Sequence, residues 1–175
     1  ILDIPGQSGY SLDLISRNYD TLINYMSVFN HGELAFPDLA MSPMGKIHFE
    51  EVKNIFVILQ ILLPITAAVG IPWSIYLYIK KHERFFFKIA GIITLALPVF
   101  LGIWAAINFD SLFITFHKIA FRNDYWIFYP SLDPVINILP EEFFMHALIL
   151  IVGIVIGMGI LFLVLGRKYS KKKIK

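Results

Sequence analysis

Two histidines carry the most chemical promise in this chain. His48 stands in the run Lys46-Ile47-His48-Phe49-Glu50-Glu51-Val52-Lys53, and His117 in Phe113-Ile114-Thr115-Phe116-His117-Lys118. Imidazole exchanges protons near neutral pH, so a pair of histidines suits general acid–base work. Glu51 follows His48 by three residues, on the same helix face. Arg122, Asn123 and Asp124 follow His117 closely enough to turn back toward it. These are candidate supporting groups or donors to a developing oxyanion. Around them lie Phe116, Phe121, Tyr125, Trp126 and Phe128, either an interfacial aromatic belt or the wall of a lipid pocket. His146 points either to the membrane interface or inward toward the same pocket. For His31, in a helix-ending turn, a helix C-terminal contact is the simpler reading, and for His82, among basic residues, a topological one. There is no cysteine, which excludes thiol catalysis, disulfides and thiolate-bound zinc. Residue types alone leave three functions open. The first is metal-free catalysis by the two histidines. The second is a metal-dependent membrane hydrolase using His48, Glu51 and His117. The third is a non-enzymatic membrane scaffold whose polar residues form a buried network.

The elements that position these residues belong in a bilayer. The chain has 175 residues, 57% hydrophobic and only 16% charged, with mean hydropathy +0.69. Soluble domains run near a quarter charged, so a water-soluble globule, a disordered chain and a nucleic-acid-binding protein are all excluded. Residues 55–79, 85–107 and 143–165 each meet the requirement of about 20 apolar residues for a membrane-spanning helix. Pro64, Pro72 and Pro98 fall inside the first two and predict kinks rather than breaks. The link 80–84 and adjacent Lys88, with the tail 166–175, carry ten of the fifteen Lys and Arg against the single acid Glu83. Basic loops face the cytoplasm, and the tail also suits anionic lipid headgroups. Residues 1–54 and 108–142 are therefore expected outside, the first as a cap and the second as a loop dense in polar and aromatic residues. An exported segment of this size ahead of three spans predicts a further apolar helix upstream of Ile1. The expected fold is an all-α membrane bundle with a small extracellular cap.

Within the cap, Pro5-Gly6-Gln7-Ser8-Gly9 reads as a turn. Apolar residues at Leu12, Ile15, Tyr19, Leu22, Ile23, Met26 and Phe29 then predict an amphipathic helix. Asn30-His31-Gly32 is expected to end it, with Gly32 as the stop. Lys46–Lys53 leads without a breaker into the first span, which places His48 roughly 10 Å above Ile55. In the second outer segment, Asp110 or Ser111 is expected to cap a helix of two or three turns. Asp133-Pro134 opens a short turn, and Pro140-Glu141-Glu142 opens the last span.

The run Phe116-His117, Phe121-Arg122-Asn123-Asp124, Trp126, Phe128, Pro130, Asp133-Pro134-Val135-Ile136, Leu139-Pro140-Glu141 and Phe143-Phe144 resembles the signature of the Lit family. These are the lipoprotein intramolecular transacylases of low-GC Gram-positive bacteria. The element His48 … Glu51-Val52-Lys53 entering a membrane helix resembles the family's other landmark. The resemblance covers most of the chain and implies a multi-pass acyltransferase of the bacterial plasma membrane. It also implies four membrane helices, of which the first has no counterpart in this sequence. The implied substrate is a diacylglyceryl lipoprotein with a free N-terminal cysteine. Its sn-2 acyl chain would move from glycerol oxygen to the cysteine amine, giving lyso-form lipoprotein. The implied catalytic residues are His48 and His117, with no cofactor. Ester aminolysis needs the ammonium deprotonated and the leaving alkoxide protonated, which two histidines supply without an acyl-enzyme. Which of the two is the base stays open at this level.

Overall fold

The computed structural model describes residues 2–81 and 84–167. Ile1, His82, Glu83 and the tail from Lys168 onward, with most of its bases, lie outside the described residues. The described elements are helical: α1 (Ile4–Ser8), α2 (Leu12–Tyr25), α3 (Pro43–Tyr76) running into a π-helical turn (Leu77–Lys81), α4 (Arg84–Ile107), α5 (Phe109–Phe121), a 3-10 turn (Pro134–Asn137) and α6 (Glu141–Leu165). Among the described residues, three stretches are long and apolar enough to cross a bilayer: Pro43–Ile79, Arg84–Ile107 and Glu141–Leu165. Their large side chains stand open, Leu63 at 71% and Ile93 at 67% exposure, which suits lipid and not water. Pro43–Ile79 has 37 residues and is about 55 Å long, against roughly 30 Å of hydrocarbon. The excess length leaves room for the first turns, bearing Lys46, His48, Glu50, Glu51 and Lys53, outside the hydrocarbon.

The chain divides into two compact units, residues up to Ile65 with Phe113–Met145, and Thr66–Leu112 with the chain from His146 onward. In the second, α4 and α6 touch backbone to backbone at Gly91 and Gly159. A Cβ on Gly91 would lie 2.9 Å from the Gly159 carbonyl oxygen. Small residues permit such close approach where lipid offers no hydrophobic drive.

The first unit holds its own core, formed by Ile15, Leu22, Tyr25, Met26, Leu34, Leu39, Phe49, Val135, Ile138 and Leu139. The Pro5–Gly9 cluster is a short helix rather than a turn. Asp3 accepts from the Gly6 N–H at 3.0 Å, and Gly9 leaves the helix at φ 72°. α2 ends at Tyr25, before the expected Phe29, so Gly32 stops nothing. The reason is tertiary: the Gln60 amide of α3 accepts from Val28 N–H at 3.1 Å and donates to the Met26 carbonyl at 2.8 Å. Lys53 donates to the Asn30 carbonyl at 2.7 Å and lies 4.0 Å above the Tyr25 ring. Of the apolar stripe, Leu12, Ile23 and Phe29 are exposed, while the polar Asn18 is fully buried. Its amide donates to the Leu14 carbonyl and the Asp38 carboxylate, at 2.8 and 2.9 Å.

Two further caps differ from expectation. α5 is capped by Asn108, which accepts from Ser111 N–H at 2.8 Å, and Asp110 occupies its first turn. Asp133 makes no side-chain bond to its own 3-10 turn. It is buried and accepts from Ser42 N–H at 2.7 Å, while Ser42 Oγ accepts from Gly45 N–H at 3.0 Å. The N-terminus of α3, where negative charge is favoured, is thus tied to the loop 91 residues away. A Cβ on Gly45 would stand 2.4 Å from Asp133 Oδ1. Gly45→Ala is therefore expected to destabilise the first unit by about 2 kcal/mol through overpacking. Thermal unfolding in detergent checks this, and an unchanged Tm would show the contact to be unimportant.

Candidate active site

α3 and α5 bring His48 and His117 together inside the first unit. Their ring centroids are 5.9 Å apart, with 34° between the planes. Both are buried, at 6% and 9% exposure. Aromatic rings enclose them: Phe121 and Phe128 stand edge to face against His48 at 4.7 and 5.5 Å. Phe113, Trp126 and Phe116 lie 4.1, 4.8 and 5.4 Å from His117.

One contact sets the state of His117. Its Nδ1 lies 2.7 Å from the Phe113 carbonyl oxygen, one turn back along α5. A carbonyl only accepts, so Nδ1 carries the proton and the neutral ring keeps its lone pair on Nε2. Burial lowers the His117 pKa, with the Phe113 bond opposing. Burial pushes His48 down to about 4, and the adjacent His117 adds to the shift. Both rings are neutral at neutral pH.

The expected His48–Glu51 contact does not form. Glu51 Oε1 instead accepts from Asn123 Nδ2 at 2.8 Å. The same nitrogen donates to the Phe121 carbonyl at 3.1 Å, so both amide hydrogens of Asn123 are committed. Asn123 Oδ1 accepts from Tyr125 N–H at 3.1 Å, and its carbonyl from Trp126 Nε1 at 2.8 Å. Arg122 makes the reversal after α5 possible by adopting a left-handed φ of 57°. Among the described residues, two buried side-chain atoms are left without a hydrogen-bond partner, His48 Nδ1 and Glu51 Oε2.

The remaining candidates fall out as follows. Phe116, Phe121, Trp126 and Phe128 touch one or both imidazoles. Tyr125 is half-buried and joins through its backbone. Arg122 and Asp124 are exposed, as is His31. His146 is exposed on α6 and belongs to the second unit. Among the described residues no three His, Asp or Glu side chains stand close enough to hold a metal ion, so His48, Glu51 and His117 form no such cage. Sequence reasoning missed Phe113, whose carbonyl fixes the His117 tautomer, although its i−4 position is a usable signal. It also missed Phe49, whose ring packs on Phe36 and Phe128 beside His48.

The family profile described as lipoprotein intramolecular transacylase Lit matches residues 1–144. The chain belongs to the Lit family. The solved structure of the membrane-integral lipoprotein intramolecular transacylase Lit from Bacillus cereus is 44% identical, with TM-score 0.87 over 93% of this chain and 75% of that one. Two further structures of the B. cereus protein, with one histidine replaced by arginine or by alanine, match at TM-scores 0.78 and 0.79. The first covers 94% of this chain and 73% of that one, the second 98% and 77%, both at 44% identity. An uncharacterized protein of Aquifex aeolicus is 28% identical over 146 residues, 82% of this chain; the chain spans 63% of the length of that curated relative. With its three long apolar helices, this Lit-family chain is an integral membrane protein.

The depressed histidine pKa values give a direct expectation. A buried neutral imidazole contributes stability above its unfolded pKa of about 6.5, which is lost as pH falls through the folded value. For His48 that window runs from about 6.5 down to about 4. In histidine-labelled NMR of the detergent-solubilised protein, both rings should remain neutral at pH 6.5. Either ring half-protonated at or above that pH would contradict the enclosure described.

Proposed function

We propose that this Lit-family protein transfers the sn-2 acyl chain of a diacylglyceryl lipoprotein to the amine of its N-terminal cysteine. The observation that carries the reading is a pair of buried imidazoles with ring centroids 5.9 Å apart, walled by aromatic rings, in a member of this family. In the proposed reaction the cysteine ammonium first loses a proton to solvent. Its nitrogen then attacks the sn-2 ester carbonyl carbon, and His117 Nε2, the free lone pair of its ring, takes the second proton as the C–N bond forms. His117 returns that proton to the sn-2 oxygen as the C–O bond breaks. The products are an amide and a glyceryl hydroxyl, with one proton released overall.

His48 suits the other role. With a pKa pushed down to about 4, its imidazolium is scarce at neutral pH, so it serves as a neutral N–H donor to the tetrahedral oxygen. Amine and ester belong to one molecule, joined through sulfur, the cysteine carbons and two glycerol carbons. No acyl-enzyme nucleophile is needed, and the aromatic wall acts by holding the folded substrate. We place the site on the outer side of the membrane. The support is the charge distribution of the sequence, in which the basic link 80–84 with Lys88 and the tail 166–175 are expected to face the cytoplasm.

Mass spectrometry of a lipoprotein's N-terminal peptide tests the proposal. His117→Ala is expected to lower conversion to the lyso form by about 10²–10⁴-fold, as for loss of a general base. His48→Ala is expected to cost about 10²–10³-fold, as for one oxyanion donor. Full conversion by both membrane-inserted variants would rule out the dyad. Activity abolished by a chelator would favour the metal-dependent hydrolase instead.

A further inference from the structure

We propose that Glu51 and His48 Nδ1 together receive the α-ammonium group of the substrate and so select lipoproteins with a free N-terminus. The inference rests on the transacylase reading and adds a binding role that reading does not contain. Among the described residues, Glu51 Oε2 and His48 Nδ1 are buried with no partner. Buried polar atoms are nearly always bonded, and an unpaired buried carboxylate oxygen is costly. These two sit one helical turn apart on α3, so a single small group can serve both.

The chemistry of that group follows from the atoms. A carboxylate oxygen only accepts. His48 Nδ1 accepts in the tautomer that places its hydrogen on Nε2, which is the tautomer an oxyanion donor at Nε2 needs. Two acceptors on one face of α3, one of them a carboxylate oxygen, call for one group with several N–H donors and a positive charge. A primary ammonium has three donors, whereas the N-acylated terminus has one and no charge.

The carboxylate is also held in place. Asn123 binds Oε1 and is itself fixed through its Phe121, Tyr125 and Trp126 contacts. The free oxygen cannot swing away without breaking this set. This placement leaves the amine beside the two imidazoles, with His117 within reach once the first proton has gone.

The test separates binding from turnover. The probes are two diacylglyceryl-cysteine peptides with an ether at sn-2, which cannot transfer their chain, one with the α-amine and one lacking it. Their affinities are measured for the detergent-solubilised wild type and for Glu51→Gln, which keeps an acceptor for Asn123. The wild type is expected to prefer the amine probe by about tenfold or more, as for a charge-assisted hydrogen bond, and Glu51→Gln to bind both alike. Equal binding of both probes by the wild type, a comparison that needs no variant, would overturn the inference. So would a preference that survives in Glu51→Gln. Conversion of the ester substrate is followed separately. A wild type that prefers the amine but never produces the lyso form supports the ammonium site while overturning the transacylase reading.

Discussion

Desolvation of two imidazoles is the constraint around which the first unit is arranged. A histidine in water spends much of its time charged near neutral pH, and a charged ring makes neither a base nor a compact neighbour for a second ring. Packing His48 against Phe121 and Phe128, and His117 against Phe113 and Trp126, penalises the charged forms and keeps both rings neutral. The cost is that every remaining polar atom in the enclosure must find a partner or be reserved for one. The Phe113 carbonyl and Asn123 meet most of that demand. The two atoms left over lie on the same face of α3.

α3 has 34 residues, more than a bilayer core requires. Isolated helical turns are marginal in water. Here α3 is bound from several sides. Asp133 and Ser42 secure the first N–H groups, Phe49 enters the core with Val135 and Leu139, and Lys53 and Gln60 grip the chain after α2. Lys46, Lys53 and Gln60 on this helix thus have structural partners, whereas His48 Nδ1 and Glu51 Oε2 have none.

Much of the architecture was legible in hydropathy. The three apolar stretches are three long helices, because the bilayer imposes a length that few other patterns meet. His48 and His117 were legible as candidates by residue type, and the structure brings their rings together, though residue types alone left a buried polar network as open a reading as catalysis. What periodicity missed were contacts between residues distant in sequence. The end of α2 depends on Gln60, which lies 34 residues beyond the carbonyl it binds. Asp133 reads as the cap of its own turn because Asp-Pro is a local signal, yet its partner is Ser42. Glu51 reads as the partner of His48 because three-residue spacing favours it. Asn123 prevails because the left-handed Arg122 brings its amide back over α3, and no local rule reports that reversal.

Under the proposed reaction, the intramolecular character explains why so little catalytic equipment is present. An enzyme joining two substrates must bind both and offset the entropy of bringing them together, whereas here the amine arrives tethered to its ester. Effective molarities for well-oriented intramolecular attack reach about 10⁵ M or more, so orientation alone supplies much of the barrier reduction. The harder problem is that a flexible diacylglyceryl group has many conformers and only a few in which nitrogen meets carbonyl carbon. Rigid rings restrict those conformers, and a fixed acceptor for the amine would pin one end of the loop to be closed. Proton transfer is then left to a single lone pair, the Nε2 of His117, whose direction is fixed by the Phe113 carbonyl behind it. Weakening that hydrogen bond would free the ring to flip tautomer and turn a base into a donor. The backbone of α5 is thus as much part of the chemistry as the side chain it orients.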